Sequence, residues 1–556
     1  MASLIYFNGV EPPTGNFSCL PCEFNTLAIN NCLKEWLTQN QEEWIYLVDL
    51  ARWPHRPNLH LILDDLHQST HLLTHFSVPF LKIPENFPLY FYSPLWMLHL
   101  NPQGTKNYVS WKTLPACIKI HRSVLLKTGL LNPRIIQPNT AWLDWGLRTL
   151  KMGFIPIHTL HHNTPHVPNS QDLSLLAKDS YHFALEHLSK AWYVLYLFFW
   201  HRKNFGMLSS LIGMGALIRY LFQPNAQAAY RPSLKEDPVQ NDTLKKTKLS
   251  LIPNFHHINE RESRAKIQHP FSILIPTLNR PTQLATLLKQ ISALTSLPTE
   301  VIIIDQSTPP VNIQSHQATA PFKIVYEYQT HPGQSDARNR GLNLCKTPYL
   351  FFVDDDCEID PYIIHRHLEC LISNQADVSC GSALEPGFTP KTDKQSAKVS
   401  AVFATGNSLI HYNEKIKSVR FDPFFNHNAR ADLDYGTQLY MQGALILYHP
   451  GISVIHRHHP SGGLRTFNER TLTHQQWKKR GLAKLPLPKG ELYWALKHFP
   501  PNQVRQHLYN QLLTSLLTPL LQHKNPFYFF LQLILLPVHI KLFSTHLKSI
   551  NSYAHQ

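Results

Sequence analysis

Three adjacent carboxylates, Asp354, Asp355 and Asp356, close the apolar run YLFFVDDDCEIDP at 349–361. Side by side they repel one another, and to stay ionised they need water, cations or hydrogen-bond donors. A divalent cation with an oxygen-rich shell, ligated also by a diphosphate, would satisfy them. A solvated acidic turn with Asp360 as a helix cap is the other reading, and this segment alone leaves both open. A similar run, WIYLVDLARWP at 44–54, keeps only the first acid, with Leu50 and Ala51 after Asp49. Other reactive types are weaker signals. Cys19 and Cys22 form a CxxC with no second pair, which reads more readily as chance than as a zinc or redox site. The eight cysteines lie mostly in apolar runs and make no disulfide framework, and most of the 34 histidines read as surface or capping residues.

The chain that must position these acids has 556 residues, enough for two or three domains with their own cores. With 43% hydrophobic and 16% charged residues it is globular. Its net charge of +15 and pI near 9.3 predict anionic partners. MASLIYFNGVEPPTG breaks at once on Gly and Pro, a pattern from which no signal peptide and a cytoplasmic location are expected.

An internal repeat organises the sequence. Adding 290 carries Ile120 and His121 onto Ile410 and His411, LNP at 131–133 onto FDP at 421–423, AWLDWG at 141–146 onto ADLDYG at 431–436, and Gly153 onto Gly443. Upstream the offset becomes 305, from Asp49 to Asp354. Two related units are expected, with a polar, Lys-rich linker at 226–267. The predicted organisation is a partial unit at 1–170, a helical extension at 171–225, the linker, a complete unit at 268–466 and a helical region at 467–556.

In the complete unit, FSILIP at 271–276, VIIID at 301–305, KIVYEY at 323–328 and the YLFFVDDD run read as strands. RPTQLATLLKQISAL and SDARNRGLNLC between them read as helices. Such alternation implies an α/β domain with a mainly parallel sheet. Ligands of such sheets bind beyond the carboxyl ends of the strands, so Asp305 and the Asp354–Asp356 cluster should share one crevice.

Over 271–465 the sequence resembles the inverting family 2 glycosyltransferases of the GT-A fold. SILIPTLNRP is similar to that family's opening strand and turn, VIIIDQS to its base-contacting strand, HPGQSDARNRGL to the following loop and helix, FFVDDD to its DxD motif and DLDYG to its catalytic helix. The resemblance implies a Rossmann-like mixed sheet, in tandem with the first unit and with helical C-terminal extensions. It implies Asp432 as the base that deprotonates the acceptor hydroxyl. It implies a nucleotide-sugar site from Pro276, Thr277, Asn279, Arg280, Asp305, Arg338, Asp354, Asp355, Gly406 and Asn407. Asp354, Asp356 and His456 would hold Mn²⁺ or Mg²⁺, with His458 and His459 competing for the last place. Two departures stand out: Ala431 where the family has Glu, and Gln438 where it has Arg.

The activity this resemblance implies is a metal-dependent transfer of sugar, from a UDP-sugar foremost, to a glycan, lipid-linked or other hydroxyl acceptor, as in cell envelope polysaccharide synthesis. In the first unit Trp142 stands where Asp432 does, and an indole cannot act as a base, so that unit reads as a degenerate, non-catalytic copy. Its Asp144 reads as a structural helix residue. AWYVLYLFFW at 191–200 and FYFFLQLILLPVHIKLF at 527–543 are too short to span a bilayer, but with their basic flanks they suit an anionic membrane surface at the inner face of the plasma membrane. Packing against the catalytic domains is their other reading. Two alternative functions are a non-catalytic nucleotide-sugar-binding scaffold and a nucleotidyltransferase. The retained acids count against the first, and SILIPTLNRPTQ lacks the glycine-rich, basic signature of the second. No basic and aromatic motif points to nucleic acid.

Overall fold

The computed structural model describes residues 2–8, 17–53, 56–76, 107–114, 116–159, 269–388, 397–459, 462–463 and 489–499, with isolated positions within 98–102, 179–187 and 504–548. The chain divides into two compact units, 1–251 and 252–556.

The first unit runs β1 (Ala2–Phe7), β2 (Phe17–Pro21), α1 (Thr26–Gln39), β3 (Trp44–Asp49), α2 (Arg56–Gln68), β4 (Leu73–Phe76), β5 (Asn107–Val109), β6 (Cys117–His121), α3 (Arg122–Thr128), α4 (Pro138–Lys151) and β7 (Ile157–Thr159). Its strands make one sheet in the order β2-β1-β3-β6-β4-β7-β5. β1 is parallel to β2 and β3, and β6 is antiparallel to β3 and β4. β7 is parallel to β4 and antiparallel to β5. Two apolar clusters cover the sheet. One joins Ile29, Leu33 and Trp36 of α1 to Trp142 and Trp145 of α4, and the other joins Leu59, Ile62 and Leu63 of α2 to Tyr46, Val48 and Trp53.

The second unit runs β8 (Phe271–Thr277), α5 (Pro281–Ser292), β9 (Glu300–Asp305), α6 (Gln314–Thr319), β10 (Lys323–Tyr328), α7 (Gln334–Leu344), β11 (Tyr349–Val353), β12 (Cys357–Glu358), α8 (Ile363–Ser373) and β13 (Val378–Leu384). It continues with β14 (Lys398–Ser400), β15 (Asn407–His411), α9 (Glu414–Lys417), a 3₁₀ turn (Pro423–Asn426), α10 (Ala431–Met441), β16 (Ile446–His456) and α11 (Lys489–His498). The sheet order is β10-β9-β8-β11-β15-β13-β16-β12, with β14 also on β16.

Local sequence explains these elements. β9 is apolar and β-branched through EVIIID and buried at every position, as a central parallel strand must be. α5 begins on Pro281, where the missing N–H costs nothing, and buries Leu284, Leu287, Leu288 and Ile291 on one face. Gly341 brings α7 onto the sheet, since a Cβ there would lie 2.1 Å from Leu274 Cδ1. The strands β10, β9, β8 and β11 form the parallel part read from the sequence. β15 then enters antiparallel to β11, which makes the sheet mixed, as the GT-A resemblance implies.

The linker at 226–267, the helical extension beyond its isolated positions, the 191–200 run, the basic flanks at 201–203 and 523–524 and the sequence at 464–488 lie outside the described residues. Within 527–543 the described positions are helical, and Phe530, Leu533, Ile534, Val538 and Ile540 are exposed. Among the described residues no helix is long and apolar enough to cross a membrane.

Candidate active site

β8, β9 and β11 end side by side, and the three carboxylates follow directly from β11. They have different partners. Asp355 is buried and accepts from Thr277 Oγ1 at 2.8 Å and Arg280 Nη1 at 2.7 Å. Burial pushes its carboxyl up to about 6, against the pull of Arg280. Asp356 is equally buried, and Arg280 Nη1 lies 3.1 Å from it. It meets His456 Nε2 at 2.9 Å and the backbone N–H of His459 at 3.0 Å. Burial works against its ionised form, but these donors outweigh it and hold the carboxyl well below the usual range. Desolvation would lower His456, and the Asp356 carboxylate raises it instead.

Tertiary pairing selects among the three histidines. β12 and β16 are antiparallel with Cys357 opposite His456, which puts that imidazole beside Asp356. His458 packs against His456 with ring centroids 4.0 Å apart and the planes tilted by 49°, and His459 contributes its backbone. Asp356, Cys357 and His456 offer ligand atoms within 4.8 Å of one another, the one such group among the described residues. Asp354 is turned elsewhere: it accepts from Arg338 Nη2 of α7 at 3.0 Å. Gly406 makes room for it, since a Cβ at that position would lie 2.8 Å from Asp354 Oδ2.

Asp432 stands in the first turn of α10, and its carbonyl accepts from Phe403 N at 3.2 Å. Burial raises its carboxyl, and the nearby Arg430 and Arg338 guanidiniums oppose the rise. Arg338 thus pairs with Asp354, and its charge also favours the ionised form of Asp432. Two residues on, Asp434 is an anchor, buried and held by His498 Nε2 at 2.7 Å, Lys497 Nζ at 3.0 Å and Gln438 Nε2 at 2.7 Å. Gln438, where the family has Arg, therefore serves this anchor.

Not every expected residue faces the crevice. Asp305 is fully buried and accepts from Ser307 N at 2.9 Å, Val311 N at 2.6 Å and Tyr326 Oη at 2.8 Å, so its carboxylate holds the loop after β9. Asn407 points into the interior, bonded to His367 Nε2, Ser382 O and Ile452 O. Asn279 takes a left-handed backbone (φ 56°) and staples two loops, receiving Thr308 N at 3.0 Å and donating its own N–H to Ser307 Oγ at 2.8 Å. Pro276 and Thr277 end β8 next to Ile304 and Asp305 of β9. Cys19 and Cys22 form no disulfide and join no such ligand group among the described residues.

Four contributors escaped the sequence reading: Cys357, the His459 backbone, the loop glycines and the Arg430–Glu491 pair. At Gly462 (φ 74°) a Cβ would lie 2.5 Å from Leu278 O and 2.9 Å from Arg280 Cγ, so the chain beyond β16 crosses directly over the Arg280 loop. The GG pair in HHPSGG was the available signal.

Residues 272–431 match the family described as Glycosyl transferase family 2. An uncharacterized glycosyltransferase of Haemophilus influenzae is 31% identical over 103 residues, 18% of this chain and 35% of that protein. The hyaluronan synthase of Pasteurella multocida is 22% identical over 266 residues, 39% of this chain and 26% of that one. The chain therefore spans about a third and a quarter of the lengths of these two relatives. Among solved structures, S. aureus TarS 1–349 in complex with UDP-GlcNAc aligns at TM-score 0.33 and 14% identity, covering 44% of this chain and 71% of that chain. That last similarity is too distant to carry an inference. Five ordered motifs, a mixed sheet with the acids at its carboxyl ends and the family match agree: residues 272–431 form a glycosyl transferase family 2 domain of the GT-A fold.

Proposed function

We propose that the second unit transfers a sugar with inversion from a nucleotide-sugar donor, a UDP-sugar foremost, to a hydroxyl of a glycan or lipid-linked acceptor, with Asp432 as base. The observation that carries this reading is the ion pair of Asp354 with the buried Arg338, beside the Asp356–His456 pair at the carboxyl end of β11. The charge of this buried guanidinium also favours the ionised form of Asp432, whose carboxyl burial raises.

The donor set fits a divalent cation such as Mn²⁺ or Mg²⁺. Asp356 is a buried carboxylate kept ionised and His456 is a borderline ligand beside it, while burial holds the neighbouring Cys357 as a protonated thiol that would leave the remaining places to oxygen ligands. When bound, the ion supplies charge neutralisation for the departing diphosphate. Asp354 is held for a different partner, and Arg338 Nε is buried without a protein acceptor, as a donor reserved for an anionic group would be. Asp432 takes the proton from the acceptor oxygen as that oxygen bonds to the anomeric carbon. The bond from that carbon to the diphosphate oxygen breaks on the opposite face, and its electron pair leaves with the nucleotide. The raised carboxyl suits this role, since a base near the working pH accepts a proton more readily. Asp305 enters indirectly, by fixing the loop beside the base site.

The first unit is proposed as a non-catalytic copy kept for packing or acceptor recognition. The exposed apolar positions in 530–540, with Lys541 and the net charge, support attachment to an anionic membrane surface. The test uses the full chain with a panel of UDP-sugars, Mn²⁺ or Mg²⁺, and release of UDP as readout. Cation-dependent release should disappear in Asp432→Asn, while UDP binding persists. A scaffold would bind and never release. A nucleotidyltransferase would release pyrophosphate from a nucleoside triphosphate.

A further inference from the structure

The helix that carries Asp432 starts on an unusual residue. Arg430 is the N-cap of α10 with φ 86° and ψ 18°, in the left-handed region, and its side chain does not cap the helix. Asparagine tolerates that region through its short polar side chain, as Asn8 and Asn279 do here, but arginine gains nothing from it. Such a conformation persists only where the surroundings over-determine it.

Those surroundings come from α11, which lies beyond the family-matched residues. Arg430 Nη2 pairs with Glu491 Oε2 at 3.3 Å, with Glu491 the more buried partner. The residue before it, Gly490, lets α11 press on the backbone of the preceding loop, because a Cβ there would lie 2.0 Å from Ala429 O. α11 is in turn fixed along α10. Trp494 Nε1 donates to Thr437 Oγ1 at 2.9 Å, and His498 and Lys497 hold Asp434. Tyr493 stacks on Phe424 with centroids 3.7 Å apart and donates to Asp422 at 3.0 Å. Glu491 therefore reaches Arg430 from a rigid base.

The Arg430 carbonyl receives Leu433 N at 3.1 Å and Asp434 N at 3.2 Å, so its peptide plane sets the first turn, where Asp432 sits. Its positive charge also favours the ionised form of the Asp432 carboxyl two residues on. We propose that Arg430 is a positioning residue for Asp432, and that Glu491 of α11 holds it in place. Ala431 leaves this helix start without the family's own acidic neighbour, and Glu491 brings a carboxylate to the adjacent residue from a different element. The proposal rests on Asp432 being the base.

The test uses the full chain, hydrolysis of whichever UDP-sugar the wild type cleaves with Mn²⁺, and UDP binding measured separately. Arg430→Gly keeps the left-handed backbone without strain and loses the guanidinium. Glu491→Gln keeps size and loses charge. The expectation is a fall of about tenfold or more in kcat for both, with UDP affinity and KM within twofold. Arg430→Lys, which restores a cation without the planar fork, should recover part of the loss. If Asp432→Asn abolishes turnover while Arg430→Gly and Glu491→Gln match the wild type, the positioning role is wrong and the base assignment stands. If Asp432→Asn retains turnover, the base assignment falls and takes this proposal with it. Loss of UDP binding alongside kcat in both variants would mark a general structural role and overturn the proposal as well.

Discussion

The two units lay seven strands in the same order and the same sense. β2, β1, β3, β6, β4, β7 and β5 correspond to β9, β8, β11, β15, β13, β16 and β14. The registers agree with the sequence offsets. Trp44 pairs with His121 and Tyr349 with His411, and 44 plus 305 is 349 while 121 plus 290 is 411. Val109 pairs with Ile157 and Val399 with Leu447, both shifted by 290. Even the helix approach repeats: a Cβ on Gly146 would lie 2.1 Å from Trp111 O, and one on Gly436 would lie 2.4 Å from Ala401 O. Asp144 and Asp434 are each buried against a histidine from a later segment, His187 at 2.9 Å and His498 at 2.7 Å.

What differs stands at the strand ends. In the second unit Asp356, His456, Arg280 and Arg338 gather there. In the first, Asp49 receives Asn8 Nδ2 at 2.9 Å and Ala51 N at 3.3 Å, and thus helps cap the 3₁₀ turn Leu50–Arg52. Trp142, in the place of Asp432, is fully buried in the apolar cluster with α1. One frame is stable with either content, because the frame rests on sheet pairing and apolar faces while the chemistry rests on a few side chains beyond the strands.

Five experiments would break or sharpen this contrast. The largest effect is expected from Asp432→Asn, which should cost about 10²–10⁴ in turnover with UDP binding kept. Asp144→Asn in the first unit should leave turnover within about twofold, as expected of a residue outside the reacting centre. Next, Asp356→Ala or His456→Ala should remove the Mn²⁺ dependence of UDP binding in calorimetry, while Asp49→Ala leaves it unchanged. Third, Trp142→Asp should create no second active site. It places an unpaired carboxylate among Ile29, Leu33 and Trp36, and should destabilise the first unit by about 3–5 kcal/mol in denaturant unfolding. Fourth, Gly146→Ala and Gly436→Ala should each cost about 1–3 kcal/mol, since both would press a methyl on a carbonyl. Unequal losses would mean that the shared helix approach is not equally tight.

The smallest effects concern pH. Asp144 is buried, which opposes ionisation, yet His187 and Arg148 hold its carboxyl below the usual range. Its stabilising contribution is therefore present above the unfolded value of about 4 and lost as pH falls through the lower folded value. Asp144→Asn should flatten the acid limb of Tm against pH. The opposite shift at Asp432 should place the acid limb of kcat/KM above about 4, with activity falling as the base is protonated.

Much of this was legible because local patterns are local physics. β9 and β10 occupy the residues whose apolar runs marked them, give or take one at an end, and α7 spans 334–344 against the 335–345 read from spacing. The repeat offset survived in the sequence because each register position constrains residue type. Side-chain direction was not legible. Asp305 and Asn407 belong to the right loops and strands but turn inward, because their partners, Tyr326 and His367, come from other elements. The choice of His456 over His458 depended on the β12–β16 register, and the hold on Arg430 depended on a helix whose sequence carries no motif.

The sequence by itself determined the alternation of strands and helices, the repeat offset, the carboxylates that end β11 and the indole that stands in the first unit where the second has Asp432. These follow from residue type and spacing along the chain. Tertiary structure alone decided which carboxylate is neutralised by Arg280, which is held ionised beside His456, and which stays near Arg338 with its carboxyl raised. Each of these outcomes is set by a partner dozens of residues away or more, and sequence spacing carries no record of which donors fold back onto which acid.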